Sequence, residues 1–142
     1  DDDSRLQSLI FALEAVAEEL PVIWPVHPRI KESVKSSALC LTQPLGYIDM
    51  QCLIKNAQVV LTDSGGMQKE AFFHKVPCIT LREETEWVEL VASGWNHLAG
   101  ATDTGHILEH VHTALKGVKY LKVGDWYGNG DAAKRIAEVL LR

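Results

Sequence analysis

Apolar residues in the first twenty positions recur at helical spacing. Leu6, Leu9, Ile10, Leu13, Val16, Ala17 and Leu20 share one face, which predicts an amphipathic helix from Ser4 to Leu20 with Asp3 or Ser4 as its N-cap. The period then changes. Pro21–Val26 (PVIWPV) is a short continuous apolar run and reads as a buried strand, followed by HPRIKESVKSS as a turn and short helix. Ala38–Thr42 (ALCLT) is the next strand, and PLGYIDMQCLIKNA turns into a helix that runs to about Asn56. Gln58–Thr62 (QVVLT) predicts a strand, GMQKEAFFHK a helix, and CITL after Pro77 another strand. Beyond the acidic loop REETEW comes a short helix ending near Gly94. NHLAG follows as a short strand, and TGHILEHVHTALKG and GDAAKRIAEVLLR as two closing helices.

Short apolar strands alternating with amphipathic helices specify a parallel sheet covered on both faces. The predicted class is therefore α/β, a Rossmann-like doubly wound parallel sheet. The alternation begins on a helix, whereas a doubly wound unit ordinarily opens on a strand that feeds one. The expectation is a domain spanning residues 1–142 that lacks its first strand. No internal repeat or linker divides it.

Composition narrows the function classes. The 142 residues are 46% hydrophobic and 23% charged, ordinary for one globular domain with a sizeable core and unlike a disordered chain. Net charge is −5 and the cations are scattered, so no basic stripe marks a nucleic-acid partner. Cys40, Cys52 and Cys78 fit no metal spacing and sit in apolar stretches, which predicts buried, reduced thiols. No run is long enough to span a membrane, and the acidic DDDSRLQ start is no export signal, so the cytoplasm is the expected compartment.

The chemistry concentrates in VVLTDSGGMQKEA (Val59–Ala71), where an apolar run breaks on small polar residues between a strand and a helix. Loops beyond the carboxyl ends of parallel strands are where α/β sheets bind ligands. Glycines allow close backbone approach, and the first helical turn offers free N–H groups with the positive end of the helix dipole. Ser64 adds a hydroxyl. The turn fits neither G-x-G-x-x-G nor a P-loop. Glu70, further along the helix, is placed for vicinal ribose hydroxyls. The alternative stays open: Asp63 or Ser64 caps the helix and Glu70 is solvated.

Other candidates each have a plain counterpart. His27 follows a strand on the same edge, and is either a site residue or a histidine hydrogen-bonded at a strand end. Arg29 is a bidentate phosphate ligand or a surface arginine. Glu83, Glu84, Glu86 and Glu89 should lie beside the TDSGG turn, most of them in the first turn of a helix starting near Thr85 rather than as bases. His106 and His110 are four apart but lack a third metal ligand, and with His74, His97 and His112 they read as solvated helix histidines. Trp24, Trp87, Trp95 and Trp126 read as core or interface anchors.

LTDSGGMQKEA followed by VPCITLREETEWVELVASGWNHLAG, with PVHPR, PLGYIDM, KNAQVVL and WYGNGDAAKRIAEVL, resembles the C-terminal half of the non-hydrolysing UDP-N-acetylglucosamine 2-epimerases. The resemblance implies one lobe of a glycosyltransferase-B-like pair of Rossmann-like domains. Its members interconvert UDP-GlcNAc and UDP-ManNAc by eliminating UDP to a 2-acetamidoglucal and re-adding it. They need no nicotinamide or metal. It further implies diphosphate at Ser64, Gly65 and Gly66, ribose at Glu70, uracil near PLGYIDM with Tyr47 and Met50, and His27 near a regulatory second sugar nucleotide. Partners implied are the UDP-sugar, an N-terminal lobe carrying the catalytic carboxylates, and a second copy in a full-length homodimer.

Three departures from the family pattern stand out. The arginine of T-E-R-P-E is Trp87 here, which removes one diphosphate contact and suggests a UDP-2,3-diacetamido sugar as substrate. The aromatic after Y-L-x-F is Met50. The H-R-x-E-N segment expected before Asp1 is absent from the sequence, and so is every catalytic residue. Two other readings remain: a UDP-sugar glycosyltransferase lobe, and a non-catalytic α/β interaction domain.

Overall fold

The computed structural model describes residues 3–117 and 126–141. Its elements follow the alternation in the sequence: α1 (Asp3–Ala17), β1 (Ile23–Pro25), a 3-10 turn (Pro28–Ile30), β2 (Cys40–Thr42), α2 (Tyr47–Asn56), β3 (Val60–Thr62), α3 (Gly65–Phe73), β4 (Cys78–Thr80), α4 (Val88–Ala92), β5 (Asn96–Leu98), α5 (Thr104–Gly117) and α6 (Ala132–Leu140). Every strand pair is parallel. The strands form two sheets rather than one, β1–β2 and β3–β4–β5.

Register explains the double covering. In β3–β4–β5, Val60 pairs with Cys78 and Leu61 with Ile79, and alternate residues point to opposite faces. Ile79 and Leu81 pack with Ala12 and Val16 of α1 and with Ile107, Val111 and Ala114 of α5. Val60 and Cys78 pack on the other face with Ile54 of α2 and Ala71 of α3. A third cluster joins Ile10 to Val26 and Val34, and a fourth joins Phe72, Leu90 and Trp95.

Several expectations are corrected. The N-cap expectation fails at Ser4, which lies inside α1, and the helix ends at Ala17 rather than Leu20. Cys40 and Cys52 are exposed; only Cys78 is buried. Cys40 begins a strand whose pattern is largely exposed, and Cys52 lies on the outer side of α2, so neighbouring apolar residues did not imply burial. Burial pushes the Cys78 thiol up to about 12, against a hydrogen bond with Thr80 that lowers it. The segment after Pro28 gives only a single 3-10 turn.

Candidate functional site

The turn after β3 is built by Thr62 and Ser64. Thr62 is buried, and its Oγ1 accepts the Ser64 N–H at 3.0 Å, which fixes the chain as it leaves the sheet. Ser64 takes the N-cap position of α3 with extended backbone, yet its side chain makes no cap hydrogen bond. The hydroxyl is therefore not consumed by the helix. The N–H groups of Gly65, Gly66 and Met67 open the helix and have no intrahelical acceptor, and the helix dipole adds positive character there.

The two glycines have different reasons. A Cβ on Gly65 would run into the Glu86 carboxylate and sit 3.6 Å from Trp87 Nε1. A Cβ on Gly66 would meet only Ser64 Oγ, at 4.0 Å, and Gly66 is not at positive φ. Neither packing nor backbone conformation demands glycine at Gly66. What its missing Cβ leaves is open approach to the first turn of α3.

A buried polar chain holds the following loop against that turn. Thr80 Oγ1 donates to Asn96 Oδ1 (2.8 Å), and Asn96 Nδ2 donates to Gln68 Oε1 (2.8 Å). Thr85 Oγ1 also donates to Gln68 Oε1 (2.6 Å) and accepts the Trp87 N–H at 3.2 Å. The indole Nε1 of Trp87 then donates to the Gly65 carbonyl at 2.8 Å. Gln68 is fully buried and its Nε2 finds no partner among the described residues. Of these residues, Gln68, Thr80 and Asn96 went unassigned in the sequence. The available signal was polar Thr80 and Asn96 inside otherwise apolar strands, with Gln68 on the helix behind them.

Glu83, Glu84 and Glu86 are not first-turn helix residues, because α4 starts at Val88 and only Glu89 lies in its first turn. The Thr85 side chain is bound to Gln68 instead, which holds the loop extended past that point. Glu86 pairs with Arg82 at 3.5 Å and presses its carboxylate on Gly65, so it opposes an anion at the turn. Lys69 Nζ lies 4.5 Å over both the Trp87 and Tyr127 rings. Tyr127 donates its hydroxyl to Glu89 Oε1 at 2.6 Å. Burial first, and then that carboxylate, push the phenol well above its usual range, while the same bond lowers Glu89.

His27, Arg29, Met50, Asp63, Ser64 and Arg82 line one cavity of about 1200 Å³. His27 Nδ1 accepts the Arg29 N–H at 3.2 Å and so caps the 3-10 turn. Tyr47 is 67% exposed at the start of α2, and Glu70 is half-buried on α3 without an ion pair among the described residues. His106 and His110 approach to 3.0 Å between their Nε2 atoms, with the His97 ring 5.3 Å from that of His110. No group of three or more candidate ligands able to hold a metal exists among the described residues. His74 contacts Gln51, and His112 pairs with Glu19. Trp95 is buried, Trp24 packs beside Val26, and Trp126 is largely exposed against Phe72. No helix among the described residues is long and apolar enough to cross a membrane.

Comparison with known proteins gives this geometry a family. The family described as UDP-N-acetylglucosamine 2-epimerase matches residues 1–141. The UDP-2,3-diacetamido-2,3-dideoxy-D-glucuronate 2-epimerase of Pseudomonas aeruginosa is 44% identical over all of this chain and 41% of its own length. A UDP-N-acetylglucosamine 2-epimerase homolog of Methanococcus maripaludis is 40% identical over 99% of the chain and 41% of its own. The structure of the Methanocaldococcus jannaschii UDP-GlcNAc 2-epimerase, in complex with UDP-GlcNAc and UDP, superposes with a TM-score of 0.86 at 33% identity, covering 99% of this chain and 41% of that one. The chain thus spans about 41% of the length of these relatives. It has the fold of one Rossmann-like lobe of a glycosyltransferase-B-like architecture, and it belongs to the UDP-N-acetylglucosamine 2-epimerase family.

Proposed function

We propose that this chain is the C-terminal, UDP-holding lobe of a sugar-nucleotide 2-epimerase that interconverts UDP-GlcNAc and UDP-ManNAc. The observation that carries the reading is the Ser64–Gly66 turn. Its hydroxyl is free of the helix cap, three N–H groups lack helix acceptors, and Gly66 leaves the approach open. A diphosphate seated there accepts those N–H groups and the Ser64 hydroxyl, and Glu70 accepts from the ribose hydroxyls. Uracil lies toward Tyr47 and Met50.

The lobe's contribution to catalysis is electrostatic. Removal of the C2 proton and cleavage of the C1–O bond leave a 2-acetamidoglucal and UDP, with negative charge growing on the β-phosphate oxygen. The N–H groups at the head of α3 point at that charge. Re-addition of UDP at C1, with a proton delivered to the opposite face of C2, completes the inversion. The acid and base belong to an N-terminal lobe, so this chain alone binds without turning over. The exposed stripe Ile136, Val139 and Leu140 on α6 gives the second lobe an apolar surface to cover, and the full-length protein works as a homodimer in the cytoplasm.

A second reading concerns the sugar. The 44% identity to a diacetamido-glucuronate epimerase, together with Trp87 bound to the turn, favours a UDP-2,3-diacetamido sugar. Turnover of that sugar against UDP-GlcNAc, measured with both lobes present, separates the two.

Calorimetry of this chain with UDP and UMP tests the binding claim. Saturable millimolar or tighter UDP binding is expected, weaker for UMP and weakened again by Ser64→Ala or Glu70→Ala. No heat and no thermal shift at millimolar UDP would contradict it.

A further inference from the structure

His106 and His110 stand one turn apart on α5, and their Nε2 atoms are 3.0 Å from each other. The ring centroids are 4.4 Å apart, with the planes inclined at 53°. Residues four apart share a helix face, which explains why the rings meet. It does not explain why one nitrogen of each is aimed at the other. Two imidazole nitrogens hold at that distance when one ring donates its N–H and the other offers a bare lone pair. The acceptor ring is then neutral, and a single proton lies between the two nitrogens.

The backbone beneath the pair is fixed. Ile107, Val111 and Ala114, on the buried side of α5, pack on Ile79 and Leu81 and on Ala12 and Val16 of α1. The His110 ring is braced from the sheet side by His97 of β5, with centroids 5.3 Å apart at 34°, and the His97 ring is itself hydrogen-bonded to the backbone of Gly94. Carboxylates flank the pair. Asp103 accepts the His106 backbone N–H at 3.0 Å, and Glu109 lies close enough to His110 to favour positive charge there. Two like-placed acids beside two lone pairs favour a dication.

The separation of the nitrogens names the class of ion. Two nitrogens bound to one ion at right angles, each about 2.1 Å away, are about 3.0 Å apart, and in a tetrahedral arrangement about 3.4 Å. The observed 3.0 Å meets the first directly and reaches the second by a small turn of either ring. Imidazole suits nickel, copper and zinc, whereas magnesium and calcium prefer oxygen. No third side-chain ligand joins the pair among the described residues, so water completes the coordination. Neither histidine lines the cavity beside Ser64.

We propose that His106 and His110 form a two-nitrogen site for a divalent late transition ion, of the nickel, copper or zinc class, which replaces the proton between them. The ion ties the first turn of α5 to the second. Because the two nitrogens converge only when the helix is formed, binding stabilises the folded chain. The site is independent of which ligand the Ser64–Gly66 turn takes.

The test titrates Ni²⁺ into the full chain, prepared without a polyhistidine tag, at about pH 7.5 where imidazole is neutral. Calorimetry is expected to show one ion per chain, and the urea midpoint should rise with added Ni²⁺. His106→Ala and His110→Ala should each weaken binding at least about tenfold, because one of two linked contacts is lost. His112→Ala and the double variant Cys40→Ser with Cys52→Ser should leave it unchanged. Paramagnetic broadening of the His106 and His110 ring signals, ahead of those of the other histidines, reads the same site in the unaltered chain and needs no variant to fold. No binding at millimolar Ni²⁺ overturns the proposal, as does binding that survives both alanine variants. Loss of binding in the cysteine variant, an equal response to Mg²⁺, or broadening centred on another histidine overturns it too.

Discussion

The indole N–H of Trp87 donates to the carbonyl of Gly65 across 2.8 Å, which fastens the loop after β4 to the first residue of α3. The side chain that departs from the family's arginine is therefore part of the turn's support. Trp87→Phe keeps an aromatic ring under Lys69 and beside Tyr127 and removes the hydrogen bond. A net loss of about 1 kcal/mol corresponds to roughly fivefold weaker UDP binding by calorimetry. Unchanged affinity would show that the loop and the turn are uncoupled.

Gly66→Ala separates stability from binding. The backbone at Gly66 is not at positive φ and no protein atom lies closer than Ser64 Oγ, at 4.0 Å from the added Cβ. Alanine should stabilise the fold by about 0.4–1 kcal/mol in urea denaturation, while UDP affinity falls about tenfold because the methyl occupies the approach to the N–H groups. A variant that is stabilised and still binds UDP normally would mean that nothing sits over Gly66.

Lys75 tests the helix termination away from the site. It lies at φ 59 after α3, and the Val76 N–H reaches back to the Ala71 carbonyl at 2.9 Å, the pattern of a helix end that favours glycine. Lys75→Gly is expected to stabilise the chain by about 1 kcal/mol in denaturant titration, with UDP binding unchanged. A destabilised variant would contradict that backbone geometry.

Acid should weaken the fold through His97 of β5 and His110 of α5. Burial and the neighbouring His110 hold His97 below its ordinary value of 6.5, and burial and His106 do the same for His110, against a smaller opposing pull from Glu109. A histidine depressed in the native state binds more protons when unfolded, so stability rises with pH across its titration. The urea midpoint should therefore drop as pH falls from about 6.5 toward the lower native values. His110→Gln should flatten that slope; an unchanged slope would place the titration elsewhere.

Legibility in the sequence followed length of pattern. α1, α2 and α5 have several turns of apolar spacing, and the parallel alternation followed from short apolar runs between them. Strand ends were trimmed: of the apolar run Pro21–Val26 only Ile23–Pro25 form β1, with Val22 and Val26 each giving one backbone hydrogen bond to the β2 strand at its margins. Cys40 and Cys52 sit among apolar neighbours yet face outward, and local context does not encode that. The helix start near Thr85 failed because Gln68, distant in sequence, captures the Thr85 hydroxyl. The TDSGG turn was readable as a capped helix or an anion site; the unused Ser64 hydroxyl and the open space at Gly66 weigh against the cap alone.

An NMR titration of backbone amides with UDP bears most directly on that turn. The predicted result is a set of saturable shifts largest at Gly65, Gly66 and Met67, smaller at Glu70, and abolished together by Ser64→Ala with Glu70→Ala. Amides at the head of α3 that stay unmoved at millimolar UDP, or shifts centred elsewhere, would contradict the assignment of the turn as the diphosphate site.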